Sequence, residues 1–192
     1  MSTQSLPLLS VEKLTMRFGG LTAIDDLSLD VPTGQITAVI GPNGAGKTTF
    51  FNCLTGFYKP TVGSVRLNHP QHGTLRLETL ASHQVARKAQ VVRTFQNIRL
   101  FPKMTVLENL MVAQHNSLQH ASAFSVAGLL GLGRYRQAEA LAREKAVAWL
   151  KRLKLIELAD TAAGALPYGT QRRIEIARAL CVDPILLCLA EP

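Results

Sequence analysis

Residues 36–54 read ITAVIGPNGAGKTTFFNCL, and this stretch decides the fold. Ile36 to Ile40 is a β-branched apolar run of the kind found in strands buried on both faces. Lys47 to Leu54 reads as a short helix. Between them, Gly41-Pro42-Asn43-Gly44-Ala45-Gly46-Lys47-Thr48 fits G-x-x-x-x-G-K-[ST], with Thr49 following. Strand, glycine-rich turn and helix in that order make a phosphate cradle. Glycines at 41, 44 and 46 let the backbone curl with its N–H groups inward, where a β-carbon would obstruct. The helix N-terminus adds positive partial charge. Lys47 can reach the outer phosphates of a nucleoside triphosphate, and the Thr48 hydroxyl can ligate Mg²⁺. A merely structural glycine turn is the bland alternative, and the flanking strand and helix weigh against it.

On the N-terminal side, Leu9, Val11, Leu14 and Met16 give strand-like alternation over Leu8 to Phe18. Leu27, Leu29 and Val31 do the same over Ile24 to Val31, before a turn at Pro32–Gly34. On the C-terminal side, short strands are expected at Ser64–Leu67, Val91–Phe95 and Ile185–Leu189. Helices are expected at His83–Lys88, Val106–Gln114 and Thr170–Cys181. From Tyr135 to Leu158 the residues Ala138, Leu141, Ala142, Ala146, Trp149, Leu150 and Leu153 recur at spacings of three and four, a core-facing helical stripe. Strands alternating with helices indicate an α/β fold with a mainly parallel sheet.

Composition bounds the function classes. The 192 residues are 47% hydrophobic and 18% charged, an ordinary globular balance that excludes disorder. Lys and Arg number 21 against 13 Asp and Glu, a net charge of +8. Nucleic acid, an anionic membrane surface and phosphate ligands would each suit that charge, and charge alone does not choose. Arg143, Lys145, Lys151, Arg152 and Lys154 read as a solvated helix face. Cys53, Cys181 and Cys188 have neither zinc nor redox spacing, and an odd number points to a reducing compartment. His69 and His72 read as surface loop residues. Met1 to Ser10 lacks the marks of a signal peptide, and the apolar stretch Ala121–Gly133 is shorter than the about 20 residues a membrane span needs.

Further segments then resemble one family. Arg93-Thr-Phe-Gln96-Asn is similar to the Q-loop of ATP-binding cassette (ABC) transporter ATPases. Leu166-Pro-Tyr-Gly169-Thr-Gln171 resembles their signature motif, and Ile185 to Pro192 resembles their Walker B strand with Glu191 after it. The run RTFQNIRLFPKMTVLENL (93–110), the insertion after His115 and the Tyr before the signature Gly resemble the branch that imports branched-chain amino acids. The resemblance implies a P-loop NTPase core with an N-terminal antiparallel β subdomain and an inserted helical subdomain. The subdomain bounds are about 1–95 for β and P-loop core, 96–168 helical, and 169–192 for signature helix and Walker B strand, in one nucleotide-binding domain.

The resemblance also implies roles. Gly41, Pro42, Asn43, Gly44, Ala45, Gly46, Lys47, Thr48 and Thr49 would hold ATP, and Phe18 would stack on adenine unless it is a core residue. Gln96 would serve Mg²⁺ and sense the γ-phosphate, with Thr48 the other metal residue and a plain loop amide the alternative for Gln96. Gly169 would approach ATP bound on a second, homologous subunit, and Glu191 would orient the attacking water as general base. Permease subunits would dock on the segment Asn97 to Asn109, through Arg99, Leu100, Phe101 and Pro102. An external binding protein would be engaged only indirectly, and no nucleic acid is expected. The location implied is cytoplasmic, peripheral on the inner face of the membrane.

Three departures from the family pattern bear on activity. Ala190 stands where the family has the Walker B Asp, and a methyl group cannot order a metal-bound water. Pro167 and Thr170 replace a common Ser and Gln in the signature. The family's D-loop, switch His and the strand after Walker B have no counterpart within these residues. In the family that strand inserts between the P-loop strand and the Walker B strand, so its loss would leave backbone groups there unpaired. Two expectations follow: an importer ATPase subunit with doubtful hydrolysis, or a fragment or disabled variant that binds nucleotide without turning it over.

Overall fold

A computed structural model describes residues 6–114 and 132–189. The insertion after His115 and the Ala190–Glu191 pair lie outside the described residues. The chain divides into two compact units, 1–93 and 94–192.

The first unit is built on an antiparallel sheet. Strands β1 (Leu9–Phe18), β2 (Leu21–Val31), β3 (Val62–His69) and β4 (Gly73–Arg76) lie in the order β2-β1-β3-β4. The expected alternation is borne out: Leu9, Val11, Leu14 and Met16 are all buried. Val11 and Leu14 face the same side despite an odd spacing because a register shift falls between them, with Lys13 at φ +47°. Helix α1 (Lys47–Leu54) buries Phe50, Cys53 and Leu54, and α2 (Ser82–Arg87) buries Val85, which stands against Gly56. The short strand β5 (Val91–Arg93) closes the unit.

Two expectations fail in this unit. Ile36–Ile40 joins no ladder, and Ile36 and Ile40 are 101% and 91% exposed. β-Branched composition suits a pleated surface but does not make one, and no other described segment pairs with this run. His69 is buried, 3% exposed, not a surface loop residue. It ends β3, where its Nδ1 accepts from the N–H groups of Gln71 and His72 at 3.0 and 3.2 Å, so the ring stitches the β3–β4 turn.

The second unit is helical. Helices α3 (Val106–Ala113), α4 (Leu132–Arg152) and α5 (Tyr168–Leu180) enclose a core of Val106, Leu110, Ala146, Leu150, Leu155, Ile174 and Ala177. A capping box starts α3: the Thr105 hydroxyl accepts from Glu108 N–H and the Glu108 carboxylate accepts from Thr105 N–H. The stripe on α4 is narrower than expected, since Ala142, Ala146 and Leu150 are buried but Leu141 is 60% exposed. The helix ends at Arg152 and gives way to a short 3₁₀ turn at Ile156–Leu158. Arg143, Lys151, Arg152 and Lys154 are exposed as expected, while Lys145 pairs with Asp183. Strand β6 (Leu186–Cys188) follows α5.

Candidate nucleotide site

The glycine-rich loop lies in the first unit. Gly44 (φ +84°) and Gly46 (φ +80°) are both left-handed. A β-carbon at Gly46 would stand 2.4 Å from the Ala23 carbonyl oxygen of β2, whereas one at Gly44 would meet nothing within 4 Å. The loop therefore rests on the β2 backbone at Gly46 and stands clear at Gly44. Ala45 N–H donates to Pro42 O at 3.2 Å and closes the turn, with Pro42, Asn43 and Ala45 exposed.

Gly46 is also the N-cap of α1, and Phe50 N–H donates to its carbonyl at 2.8 Å. No side chain caps α1 and its first turn holds no acidic residue. The positive end of the helix is thus left for an external anion. Lys47 Nζ donates to Gly41 O at 2.6 Å and Pro42 O at 2.7 Å. The ammonium thus closes the loop by bonding its first two carbonyls. Thr48 is exposed and Thr49 half-buried at the same helix end. Among the described residues no cluster of three or more His, Cys, Asp or Glu could hold a metal.

Support behind α1 was not evident from the sequence. Arg93 Nη1 donates to Asn52 Oδ1 at 2.5 Å, and the guanidinium lies 5.6 Å from the Phe51 ring centroid. Burial pushes the Cys53 thiol up to about 11, which keeps it neutral. Phe18, at the end of β1, is 40% exposed, so it is not a core residue. The Tyr58 ring meets it edge-on, with centroids 5.2 Å apart and planes at 77°. Tyr58 carried no sequence signal, because the pairing depends on the β1–β2 turn and the 57–61 loop meeting in space.

The second unit holds Gln96, exposed two residues beyond Thr94, whose N–H donates to Cys188 O at 3.0 Å. Gly169 is exposed in the first turn of α5. Glu191 lies outside the described residues. In the 97–109 segment, Phe101 is 48% exposed. Asn109, fully buried, holds it there: Oδ1 accepts from Phe101 N–H at 2.8 Å, and Nδ2 donates to Phe101 O at 3.1 Å and Thr105 O at 2.9 Å. A lone Asn between Val106 and Leu110 on an apolar helix was the readable hint.

A family model described as ABC transporter matches residues 24–192. Over 188 residues the chain is 50% identical to the high-affinity branched-chain amino acid transport ATP-binding protein BraF of Pseudomonas aeruginosa. The chain belongs to the ABC transporter family. It is also 52% identical to LivG of Escherichia coli K12, a protein described in the same words as BraF, and both alignments cover 98% of this chain and 70% of the relative. Among solved structures, MJ1267, an ATP-binding cassette of an ABC transporter, matches with a TM-score of 0.75 at 32% identity, over 95% of this chain and 68% of that one. Its ADP conformation matches with a TM-score of 0.74. The fold is that of an ABC ATPase, with a P-loop core, an N-terminal antiparallel β subdomain and an inserted helical region. The C-terminal part of the relatives has no counterpart in these residues.

Proposed function

We propose that this ABC chain is the ATP-binding subunit of an importer for branched-chain amino acids, peripheral on the cytoplasmic face of the membrane. The observation that carries the reading is the left-handed Gly44–Gly46 turn, which delivers Lys47 and the uncapped N-terminus of α1 to one point. It occurs in a chain half identical to BraF and LivG. Among the described residues no helix is long and apolar enough to cross a membrane.

In this reading the backbone N–H groups of 41–49 and the Lys47 ammonium bind the phosphates, and Phe18 stacks on adenine. Thr48 and Gln96 serve Mg²⁺. Gly169 approaches the ATP of a second ATPase subunit, and Glu191 orients water. Residues 97–109 meet the permease subunits, with a substrate-binding protein acting from the other side of the membrane. The proposed subdivision is 1–95, 96–168 and 169–192. Uptake of labelled leucine by vesicles reconstituted with the permease and this chain tests the reading. ATP-dependent uptake lost on Lys47→Ala is expected; uptake indifferent to Lys47 overturns it.

A second reading, a nucleotide-binding but non-hydrolysing chain, is favoured by Ala190 in place of the Walker B Asp. Ala190→Asp restores a carboxylate for the metal's water shell. A rise in ATPase rate of tenfold or more identifies Ala190 as the limiting defect. No rise removes that explanation.

A further inference from the structure

Phe18 is the last residue of β1, and two glycines follow it. A β-carbon at Gly19 or Gly20 would meet nothing within 4 Å, so the turn stands in the open and gives the Phe18 ring no wall on that side. A wall comes instead from the 57–61 loop. The Tyr58 ring meets Phe18 edge-on with centroids 5.2 Å apart, within the range where aromatic pairs attract. Tyr58 is 38% exposed and Phe18 40%. Rings placed for stability alone are buried, and these two leave much of their apolar surface in water.

The loop that carries Tyr58 is fixed at both ends. Asn52 O, in the last turn of α1, accepts from Phe57 N–H at 2.9 Å and from Tyr58 N–H at 3.1 Å. At the far end, Thr61 N–H donates to Thr15 O at 2.9 Å, and Thr61 Oγ1 accepts from Arg17 N–H at 3.1 Å. Ser82 Oγ donates to Thr55 O at 3.1 Å and holds the turn out of α1 to the start of α2. Tyr58 therefore stands on α1, the helix whose opposite end is the uncapped N-terminus of the glycine-rich loop.

We infer that Tyr58 is a positioning residue for the base of the nucleotide: its ring fixes the orientation of Phe18, and Asn52 O ties that orientation to the phosphate end of α1. The inference rests on the reading of Phe18 as the residue that stacks on adenine. An exposed Phe side chain has three staggered wells at χ1, and a base stacks on the ring in one of them. Tyr58 holds Phe18 in that well before nucleotide arrives. Releasing the ring cuts the competent fraction to about a third, and the apparent affinity falls with it.

A double-mutant cycle over Phe18 and Tyr58, read by titration calorimetry of the whole chain with ATP and with tripolyphosphate, tests the inference. Tyr58→Leu keeps an apolar side chain but no ring edge. It should weaken ATP binding by about threefold and leave tripolyphosphate binding unchanged. Tyr58→Ser, suited to an exposed loop, should do the same. Because Tyr58 acts through Phe18, neither substitution should change ATP affinity further in a Phe18→Ala chain. Tyr58→Phe, which retains the ring, should restore wild-type ATP affinity. Unchanged ATP affinity in Tyr58→Leu and Tyr58→Ser, an equal loss for tripolyphosphate, the same loss in the Phe18→Ala chain, or an equal loss in Tyr58→Phe would each overturn the inference. If Phe18→Ala itself leaves ATP affinity unchanged, the stacking reading falls and takes the inference with it. If Phe18→Ala weakens ATP binding and the Tyr58 substitutions do not, the inference alone falls.

Discussion

Gly46→Ala is the sharpest perturbation of the nucleotide loop, and Gly44→Ala is its control. Both glycines are left-handed, so an L side chain at either incurs a backbone cost of about 1–2 kcal/mol. At Gly44 that is the whole cost, because the new methyl meets nothing within 4 Å. At Gly46 the methyl would lie 2.4 Å from Ala23 O, well inside contact distance. Relief requires the loop to lift off β2 or turn out of its cradle. Either movement swings the first N–H groups of α1 and the Lys47 ammonium away from their common point. Losing both sets of charge-assisted contacts, about 1.5–3 kcal/mol each, weakens ATP binding by at least about 100-fold. Gly44→Ala should weaken it by about 30-fold at most. Titration calorimetry with ATP, alongside circular dichroism to confirm folding, gives both numbers. Equal effects of the two substitutions, or wild-type affinity in folded Gly46→Ala, would refute the argument from the Ala23 contact.

Other predictions follow from the same geometry. Phe18→Ala should lower ATP affinity by about 1–3 kcal/mol, the worth of one base stack, while leaving tripolyphosphate binding unchanged in a competition assay. Asn109→Leu leaves the part-buried Phe101 N–H without its acceptor, while the Phe101 and Thr105 carbonyls keep their backbone donors, so chemical denaturation should show a loss of about 1–3 kcal/mol. Phe101→Asp should leave nucleotide binding intact and uncouple transport from ATP in reconstituted vesicles; unchanged coupling would remove Phe101 from the permease contact. The Cys53 and Cys181 thiols, pushed up by burial to about 11 and about 12, should resist aromatic disulfide reagents at pH 8 in the folded chain. Each folded-state pKa exceeds its unfolded value of 9.0, so unfolding releases protons in alkali. Stability from both thiols is complete below pH 9 and falls as pH rises from about 9 to 12. A flat alkaline stability profile would contradict it.

Local patterns were legible where one segment contains all the information it needs. β1 announced its face through Leu9, Val11, Leu14 and Met16, and the loop at 41–48 announced itself through its glycine spacing and the helix that follows it. The signature helix was placed to within two residues of its observed start. What failed depends on partners far along the chain. Ile36–Ile40 has the composition of a central strand, but a strand exists only with neighbours, and none of the described segments supplies them. His69 is buried because it continues the face of Val65 and Leu67 to the end of β3, and Leu141 is exposed because it lies one step off the face of Ala142, Ala146 and Leu150. Asn109 and Tyr58 act through tertiary contacts. The 97–109 segment drew attention through Phe101, while the residue that shapes it is the buried Asn109.

Calorimetric titration of the purified chain with ATP, with and without Mg²⁺, tests the central claim most directly. The account predicts one ATP per chain, with affinity falling by about 100-fold in Lys47→Ala, whose ammonium now bonds Gly41 O and Pro42 O and would turn to the phosphates. Absence of binding by a folded sample, or binding indifferent to Lys47, would contradict it.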